Sequence, residues 1–113
     1  MYYTKNISLR FLTPYQVEKE VLLNENSLLL DSIISGGVIS RQVIHEPEAA
    51  EPGDKYIIPE GAEGLWANSI NFLAVRLQEH WVMIEPREGM LFWLIDEKKL
   101  MVFSRGIWQE LLG

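Results

Sequence analysis

Cysteine is absent from this chain of 113 residues. Its absence excludes a disulfide framework and a zinc site built from thiolates. The two histidines, His45 and His80, lie far apart in the sequence and show no spacing typical of metal ligands, so we expect neither a metal nor a cofactor. The fold must therefore be stabilised by side-chain packing alone or by oligomerisation.

Long apolar runs are also absent. No stretch approaches the ~18 to 20 apolar residues that cross a bilayer. Residues 1–6 lack the charged and then apolar pattern of a secretory signal. We therefore expect a protein that is made in the cytoplasm and has no membrane partner.

Clusters of basic residues are missing as well. Acidic side chains number 16 against 10 lysines and arginines, and the net charge is −6 at pH 7. Because a chain of this charge repels phosphate backbones, we expect no nucleic-acid partner.

Known catalytic motifs are not found, since the chain has no G-x-S-x-G, no Walker loop and no G-x-G-x-x-G. Two carboxylates about 5 to 9 Å apart can hydrolyse a glycosidic bond. Acids flank adjacent turns at Glu85, Glu88, Asp96 and Glu97. Acids at turns are usually solvated, so we predict no catalytic residue and no enzyme, and keep a small glycan hydrolase as the least favoured alternative.

The composition is that of a folded domain, with 48% apolar and 11% aromatic residues, which excludes disorder. At this length we expect a single domain, residues 1–113, with one core. It divides into an extended arm at 1–12, a helical segment at 13–35 and a β-rich part at 38–112. The predicted fold class is therefore α+β.

The β-rich part consists of short apolar runs separated by polar connectors, most of which contain Gly, Pro or Asp. Such runs, rich in aromatic and β-branched residues, predict a mainly antiparallel β-meander. We expect six to eight short strands from the runs at 38–44, 54–58, 72–77, 81–84, 90–95, 100–103 and 107–111.

Two parts of this meander resemble each other. Residues 75–81 align with residues 102–108, and each copy reads as a strand, a tight polar turn and a Trp that opens the next strand. The alignment predicts two similar hairpins, in which Trp81 and Trp108 act as cross-strand aromatic residues.

A helical segment at about 14–35 is predicted from its two ends. Residues 13–16, Thr-Pro-Tyr-Gln, combine a capping box with a proline at the first helical position. Gly36 and Gly37 then provide a stop, because glycine adopts the left-handed conformation of a helix C-terminus. Asn24 offers an alternative N-cap, for a separate helix at about 25–35.

The predicted helix has one apolar face, because apolar residues recur at spacings of three, four and seven. Such a face must pack on the sheet of the same chain or against another copy of it. For the second case we assign to an oligomer interface Val17, Val21, Leu28, Leu29 and Ile33.

The four tryptophans are the most conspicuous side chains of the sequence. An indole ring can stack on the C–H face of a sugar, but Trp also packs in cores and subunit interfaces. Trp93 lies inside an apolar run, which favours packing. As sugar-stacking residues we predict Trp66, Trp81 and Trp108, with packing as the open alternative for each.

The order and spacing of several short motifs resemble an uncharacterised family found in prophages and gene-transfer agents, often inside tail, fibre or head-spike proteins. The resemblance spans about residues 9–110. The motifs that carry it are Pro14-Tyr15-Gln16, Lys19, Asn24-Glu25, Leu30-Asp31, Pro52-Gly53-Asp54-Lys55-Tyr56, Gly61-Ala62-Glu63-Gly64-Leu65-Trp66-Ala67, Ala74, Trp81, Pro86-Arg87-Glu88-Gly89, Asp96 and Gly106-Ile107-Trp108.

The resemblance implies a phage-derived virion structural or attachment module, such as a small spike, fibre or tail component. A module of this kind is expected to be virion-associated and homo-oligomeric, with a trimer favoured, and to contact other virion proteins. It is also expected to reach polysaccharide on a host surface. The alternative is a stand-alone carbohydrate-binding domain.

Overall fold

The computed structural model describes residues 25–27, 29–30 and 36–111. Six strands and one short 3-10 helix, Gly64–Trp66, are formed in this part of the chain. The strands are β1 (Lys55–Ile57), β2 (Leu73–Arg76), β3 (Trp81–Ile84), β4 (Leu91–Leu94), β5 (Lys99–Ser104) and β6 (Ile107–Glu110).

The strands form two antiparallel sheets of three strands each, which we call the first sheet, β1-β2-β3, and the second sheet, β4-β5-β6. In the first sheet Val75 pairs with both Lys55 and Val82. In the second sheet Val102 pairs with both Leu91 and Gln109.

Residues 38–40, the junction segment, connect the two sheets through backbone hydrogen bonds. The Val38 N–H donates to the Trp93 carbonyl oxygen of β4 at 2.8 Å, and the Ile39 N–H donates to the Lys55 carbonyl oxygen of β1 at 2.8 Å. Both pairings are parallel. The segment thus satisfies one edge strand of each sheet at the same time.

The core has two parts. The larger cluster lies between the sheets and consists of Leu29, Val38, Ile57, Leu73, Val75, Leu77, Ile84, Phe92, Leu94 and Met101. The smaller cluster lies on the other face of the first sheet and consists of Tyr56, Ile58, Trp66 and Ala74. The first sheet is therefore covered on both faces, which explains why β1 is buried at every position.

The α+β prediction is wrong, because the described residues form an almost entirely β fold in which no α-helix is an element. Residues 25–27 and 29–30 have helical backbone. The rest of the predicted segment and the arm at 1–12 lie outside the described residues. Apolar periodicity indicates that a segment has a buried side, and Leu29 does pack in the larger cluster.

The single meander is also wrong, although the strands from 54 onward are formed close to where the sequence predicts them. Glu85 and Pro86 follow β3, and β3 does not pair with β4. Proline has no N–H to donate to a ladder. The edge of β4 is instead occupied by Val38, far away in sequence. The predicted strand at 38–44 is reduced to bridges at Val38 and Ser40.

The two predicted hairpins are confirmed. Arg76 pairs with Trp81 across the first, and Phe103 pairs with Trp108 across the second. The second hairpin turns at Arg105 and Gly106, whose φ angles are +57° and +82°. Two consecutive positive φ angles define the turn type that matches the twist of paired strands.

Over the described residues, the structure contains no helix of the length and apolar character needed to cross a membrane.

Candidate functional site

A concave site of about 270 Å³ lies beside β6, between the second sheet and the chain that follows β1. We call it the Trp108 cleft. It is lined by Arg41, Ile57, Ile58, Pro59, Glu60, Asn71, Ile107 and Trp108. Four separate stretches of sequence therefore meet in one site.

Trp108 is the aromatic side chain of the cleft, and its ring is fixed in place. Its centroid lies 5.3 Å from that of Phe103 and 6.2 Å from that of Phe92, both in edge or tilted geometry. Its Nε1–H donates to the Asn71 carbonyl oxygen at 2.8 Å. Because the polar group of the indole is satisfied within the protein, the half-buried ring presents an apolar surface to the cleft.

Asn71 positions this acceptor through an unusual backbone conformation. Its φ angle is +72°, a left-handed conformation that asparagine tolerates better than most residues. The Asn71 N–H donates to the Ile58 carbonyl oxygen at 2.8 Å. The bond ties the residues before β2 to the chain after β1 and orients the Asn71 carbonyl towards Trp108.

Arg41 supplies the cationic group of the cleft. Its Nε and Nη2 donate to the two carboxylate oxygens of Glu97, both at 2.9 Å, and Nη2 also reaches Glu110 at 3.3 Å. A planar guanidinium held by two parallel bonds has a defined orientation. The hydrogen bonds that Arg41 donates to Glu97 raise the pKa of Arg41, and burial acts in the opposite direction.

The ion pairs behind Arg41 form a network at one end of the second sheet. Lys99 Nζ donates to Glu110 at 2.7 Å. The hydrogen bond from Arg41 lowers the pKa of Glu97, and the bond from Lys99 lowers that of Glu110. The same bond raises the pKa of Lys99. Near neutral pH all four groups are therefore charged and paired with one another.

The remaining polar group of the cleft is Glu60, an exposed acid in the turn after Pro59. The cleft therefore combines an aromatic surface with a guanidinium, a carboxylate and an amide. Such a combination binds a ligand that has an apolar face and polar edges.

The other two predicted stacking residues lie elsewhere. Trp66 has no exposed surface and packs 5.7 Å from Tyr56 and 5.3 Å from Trp81, measured between ring centroids. Trp81 is half-buried, and the Arg76 guanidinium lies 5.8 Å from its ring centroid. The structure thus brings Trp66 and Trp81 together in the smaller core cluster and places Trp108 alone in the cleft.

The structure also shows where Trp93 lies and where one residue of the predicted oligomer interface, Leu29, lies. Trp93 is 48% exposed on the side of the second sheet that faces away from the core. Leu29, predicted at an oligomer interface, packs in the larger core cluster of its own chain. The other residues of that predicted interface lie outside the described residues, namely Val17, Val21, Leu28 and Ile33.

Two of the acids near the turns, Glu88 and Glu97, are separated by the length of β5. Glu88 accepts bonds from Ser104 Oγ at 2.7 Å and from the Arg105 N–H at 3.0 Å, which lower its pKa. Glu97 lies at the opposite end of the strand, beside Lys99. A six-residue strand spans roughly 17 Å, so these two carboxylates do not form the close pair of a glycosidase.

Each histidine is paired with one glutamate. His45 Nε2 lies 2.7 Å from Glu63, and His80 Nε2 lies 3.1 Å from Glu25. Among the described residues, no group of three or more His, Cys, Asp or Glu side chains is arranged to hold a metal ion.

Most residues of the cleft were not predictable from the sequence. Arg41, Glu60 and Asn71 carry no local motif and meet Trp108 only because the junction segment joins the two sheets. The one local signal is the Trp that follows a hairpin turn, and the role of Trp108 in sugar stacking stays a prediction.

Comparison with known protein families gives a match over most of the chain. The model of a family described as a protein of unknown function (DUF2793) matches residues 23–109. The matched range includes the whole Trp108 cleft and nearly all of the six strands. No curated protein matches the chain.

Proposed function

The chain belongs to the DUF2793 family, proteins of unknown function, and from this premise we propose that it is a non-catalytic, phage-derived virion module that contacts polysaccharide through the Trp108 cleft. The virion assignment is supported by the motif resemblance to proteins of prophages and gene-transfer agents. The ligand assignment is supported by the side chains of the cleft.

The single observation that carries the ligand assignment is the meeting of Trp108 with Arg41, Glu60 and Asn71 around one cavity. A sugar ring has an apolar C–H face and a periphery of hydroxyl groups. The indole offers a surface for the face, and the charged and amide groups offer donors and acceptors for the hydroxyls. The cavity is at the small end for ligand sites, so it fits a short stretch of a glycan chain.

Glycan binding can be tested with an array of bacterial capsular polysaccharides and O-antigens, followed by calorimetric titration of the best-bound glycan. We expect Glu60→Gln to weaken binding about tenfold, because it removes the charge from a hydrogen-bonding partner. Trp108→Ala should abolish binding, since it removes the stacking surface.

The control is Glu85→Gln, which alters an exposed acid outside the cleft and should leave affinity unchanged. Because Trp108 also contacts Phe92 and Phe103, Glu60→Gln is the decisive variant if Trp108→Ala does not fold. Full-affinity binding by folded Glu60→Gln and Trp108→Ala proteins, or binding to no glycan on the array, would refute the proposal.

The homo-oligomer and the contact with other virion proteins belong to the same proposal. The trimer rests on the resemblance and on the predicted helix, and the β fold of the described residues removes the second of these two supports. A stand-alone carbohydrate-binding domain remains the alternative. Immunodetection of the protein in purified particles supports the virion module, whereas its absence from particles supports the alternative.

A further inference from the structure

The second sheet has one face that points away from the core and carries apolar side chains. In β4, Phe92 and Leu94 are buried, whereas Leu91 and Trp93 are 50% and 48% exposed. Strand register extends this alternation across β5 and β6. We call this surface the outer face, and its residues are Leu91, Trp93, Ile95, Leu100, Val102, Ser104, Ile107, Gln109 and Leu111.

The strand side chains that form the outer face are uncharged, although the chain as a whole has a net charge of −6. The Glu88 carboxylate lies at one edge of the face, where it accepts a hydrogen bond from Ser104 Oγ. At the opposite end of the second sheet, Arg41, Glu97, Lys99 and Glu110 pair with one another. Copies of an acidic protein repel each other. An uncharged face is therefore where two copies can approach at the smallest electrostatic cost.

The size of the outer face suits association between proteins. Five of its side chains, Leu91, Trp93, Ile95, Ile107 and Leu111, are each about half exposed. Together they present roughly 500 Å² of apolar surface, near the upper end for a single patch on a monomer. A specific interface buries about 800 Å² on each partner, so these five side chains supply more than half of the area that such an interface needs.

The chemistry of the outer face does not suit a glycan. Its hydrogen-bonding side chains are Trp93, Ser104 and Gln109. Two of them are already engaged, because Ser104 Oγ donates to Glu88 and Gln109 Nε2 donates to the Ser104 carbonyl oxygen. Most hydroxyl groups of a sugar would therefore lose water without gaining partners. A second sheet of the same kind brings mainly apolar side chains to this surface, and two apolar sheet faces pack about 10 Å apart with interdigitated side chains.

We propose that copies of this chain associate through the outer face of the second sheet. The inference rests on the oligomeric part of the proposed function and names the surface that carries it. Ile107 lies on both the outer face and the wall of the Trp108 cleft. Association thus places clefts of neighbouring copies side by side, which multiplies the apparent affinity for a repeating glycan.

The test is sedimentation velocity on the full chain over a micromolar concentration series. The wild-type protein should sediment as a homo-oligomer. Trp93→Glu should raise the dissociation constant of the oligomer at least about a hundredfold, because it buries a charge at the centre of the interface. Far-UV circular dichroism and thermal unfolding establish that the variant is folded. Leu91→Lys should act in the same direction.

The matched control is Leu65→Glu, which introduces the same charge at a side chain that is 60% exposed on the 3-10 helix. It should leave the sedimenting mass unchanged. A wild-type protein that remains monomeric at 100 µM, roughly the limit of a meaningful interface, would overturn the inference, as would an oligomer that Trp93→Glu leaves intact.

This outcome is separable from that of the glycan experiment. A short oligosaccharide occupies one cleft, so its affinity for monomeric Trp93→Glu should equal that for the wild type. A monomeric wild-type protein that binds glycan contradicts only the interface. An oligomer that binds no glycan contradicts only the proposed function.

Discussion

Gly37 lies at a position where the backbone leaves no room for a side chain. A Cβ atom there would lie 2.7 Å from the Trp93 carbonyl oxygen and 2.7 Å from the Ile95 side chain. The next residue, Val38, donates its N–H to the same carbonyl oxygen. The absence of a side chain therefore allows the junction segment to pair with β4.

We expect Gly37→Ala to lower the free energy of unfolding by about 1–3 kcal/mol, the usual cost of forcing an atom into a packed site. The Trp93 carbonyl belongs to a paired strand and cannot move aside without loss of the Val38 bond. Chemical denaturation gives the change in stability, and amide exchange at Val38 and Ile95 should accelerate.

The comparison variant is Gly61→Ala. Gly61 has a φ angle of +84° and open space around its Cβ position, so the substitution tests backbone strain alone, at about 1 kcal/mol. Equal losses for the two variants, with no change in exchange at Val38, would show that close packing at Gly37 is unimportant.

The tryptophans show that the burial of a single residue cannot be predicted from its sequence neighbours alone. Trp66 and Trp93 both lie beside apolar neighbours in the sequence, yet the first is fully buried and the second is 48% exposed. Strand alternation assigns Phe92 and Trp93 to opposite faces. It does not say which face is covered, because that depends on segments distant in sequence.

At the scale of elements, the strands were predictable and their assembly was not. Runs such as 81–84 and 90–95 are bounded by turn residues, and β3 and β4 formed within them. Hairpin pairing is local, so it followed from the turns. The parallel pairing of Val38 with Leu94 spans half the chain. No local pattern encodes such a contact, and it is this contact that joins the two sheets and brings the residues of the Trp108 cleft together.

The ion-pair network at the end of the second sheet predicts a dependence of stability on pH. The pKa of Glu97 is lowered from 4.5 mainly by its hydrogen bond with Arg41, and that of Glu110 is lowered mainly by Lys99. A carboxyl whose pKa is lower in the folded than in the unfolded state stabilises the fold above its unfolded pKa. The stabilisation is lost as the pH falls through the lower, folded pKa.

The free energy of unfolding of Glu97→Gln should therefore fall less steeply below pH 4.5, the ordinary carboxyl value. The difference in this free energy between neutral and acidic pH should be smaller than in the wild type. Urea denaturation at a series of pH values measures this directly. The control is Glu48→Gln, an exposed acid in the loop before β1. An identical pH profile for wild type and Glu97→Gln would mean that solvent screens the network completely.

At the scale of the whole molecule, β6 connects the two surfaces to which function is assigned. Trp108 points towards the cleft, and Ile107 and Leu111 belong to the outer face. The alternation of one edge strand therefore places a ligand site and an association surface next to each other. Of this arrangement, the sequence indicated only that Trp108 follows a turn. The single-domain organisation of residues 1–113 stays a prediction.

The most direct test of the central claim is a nuclear magnetic resonance titration of the indole N–H signals. The chain has four tryptophans, and substitution of each by Phe assigns the four signals. On addition of an oligosaccharide from the best-bound polysaccharide, we predict that the Trp108 signal shifts, because its Nε1–H is bonded at the cleft wall. The signals of the buried Trp66 and of Trp93 on the outer face should stay in place. Saturable glycan binding that leaves the Trp108 signal unmoved, or that moves Trp93 instead, would contradict the account.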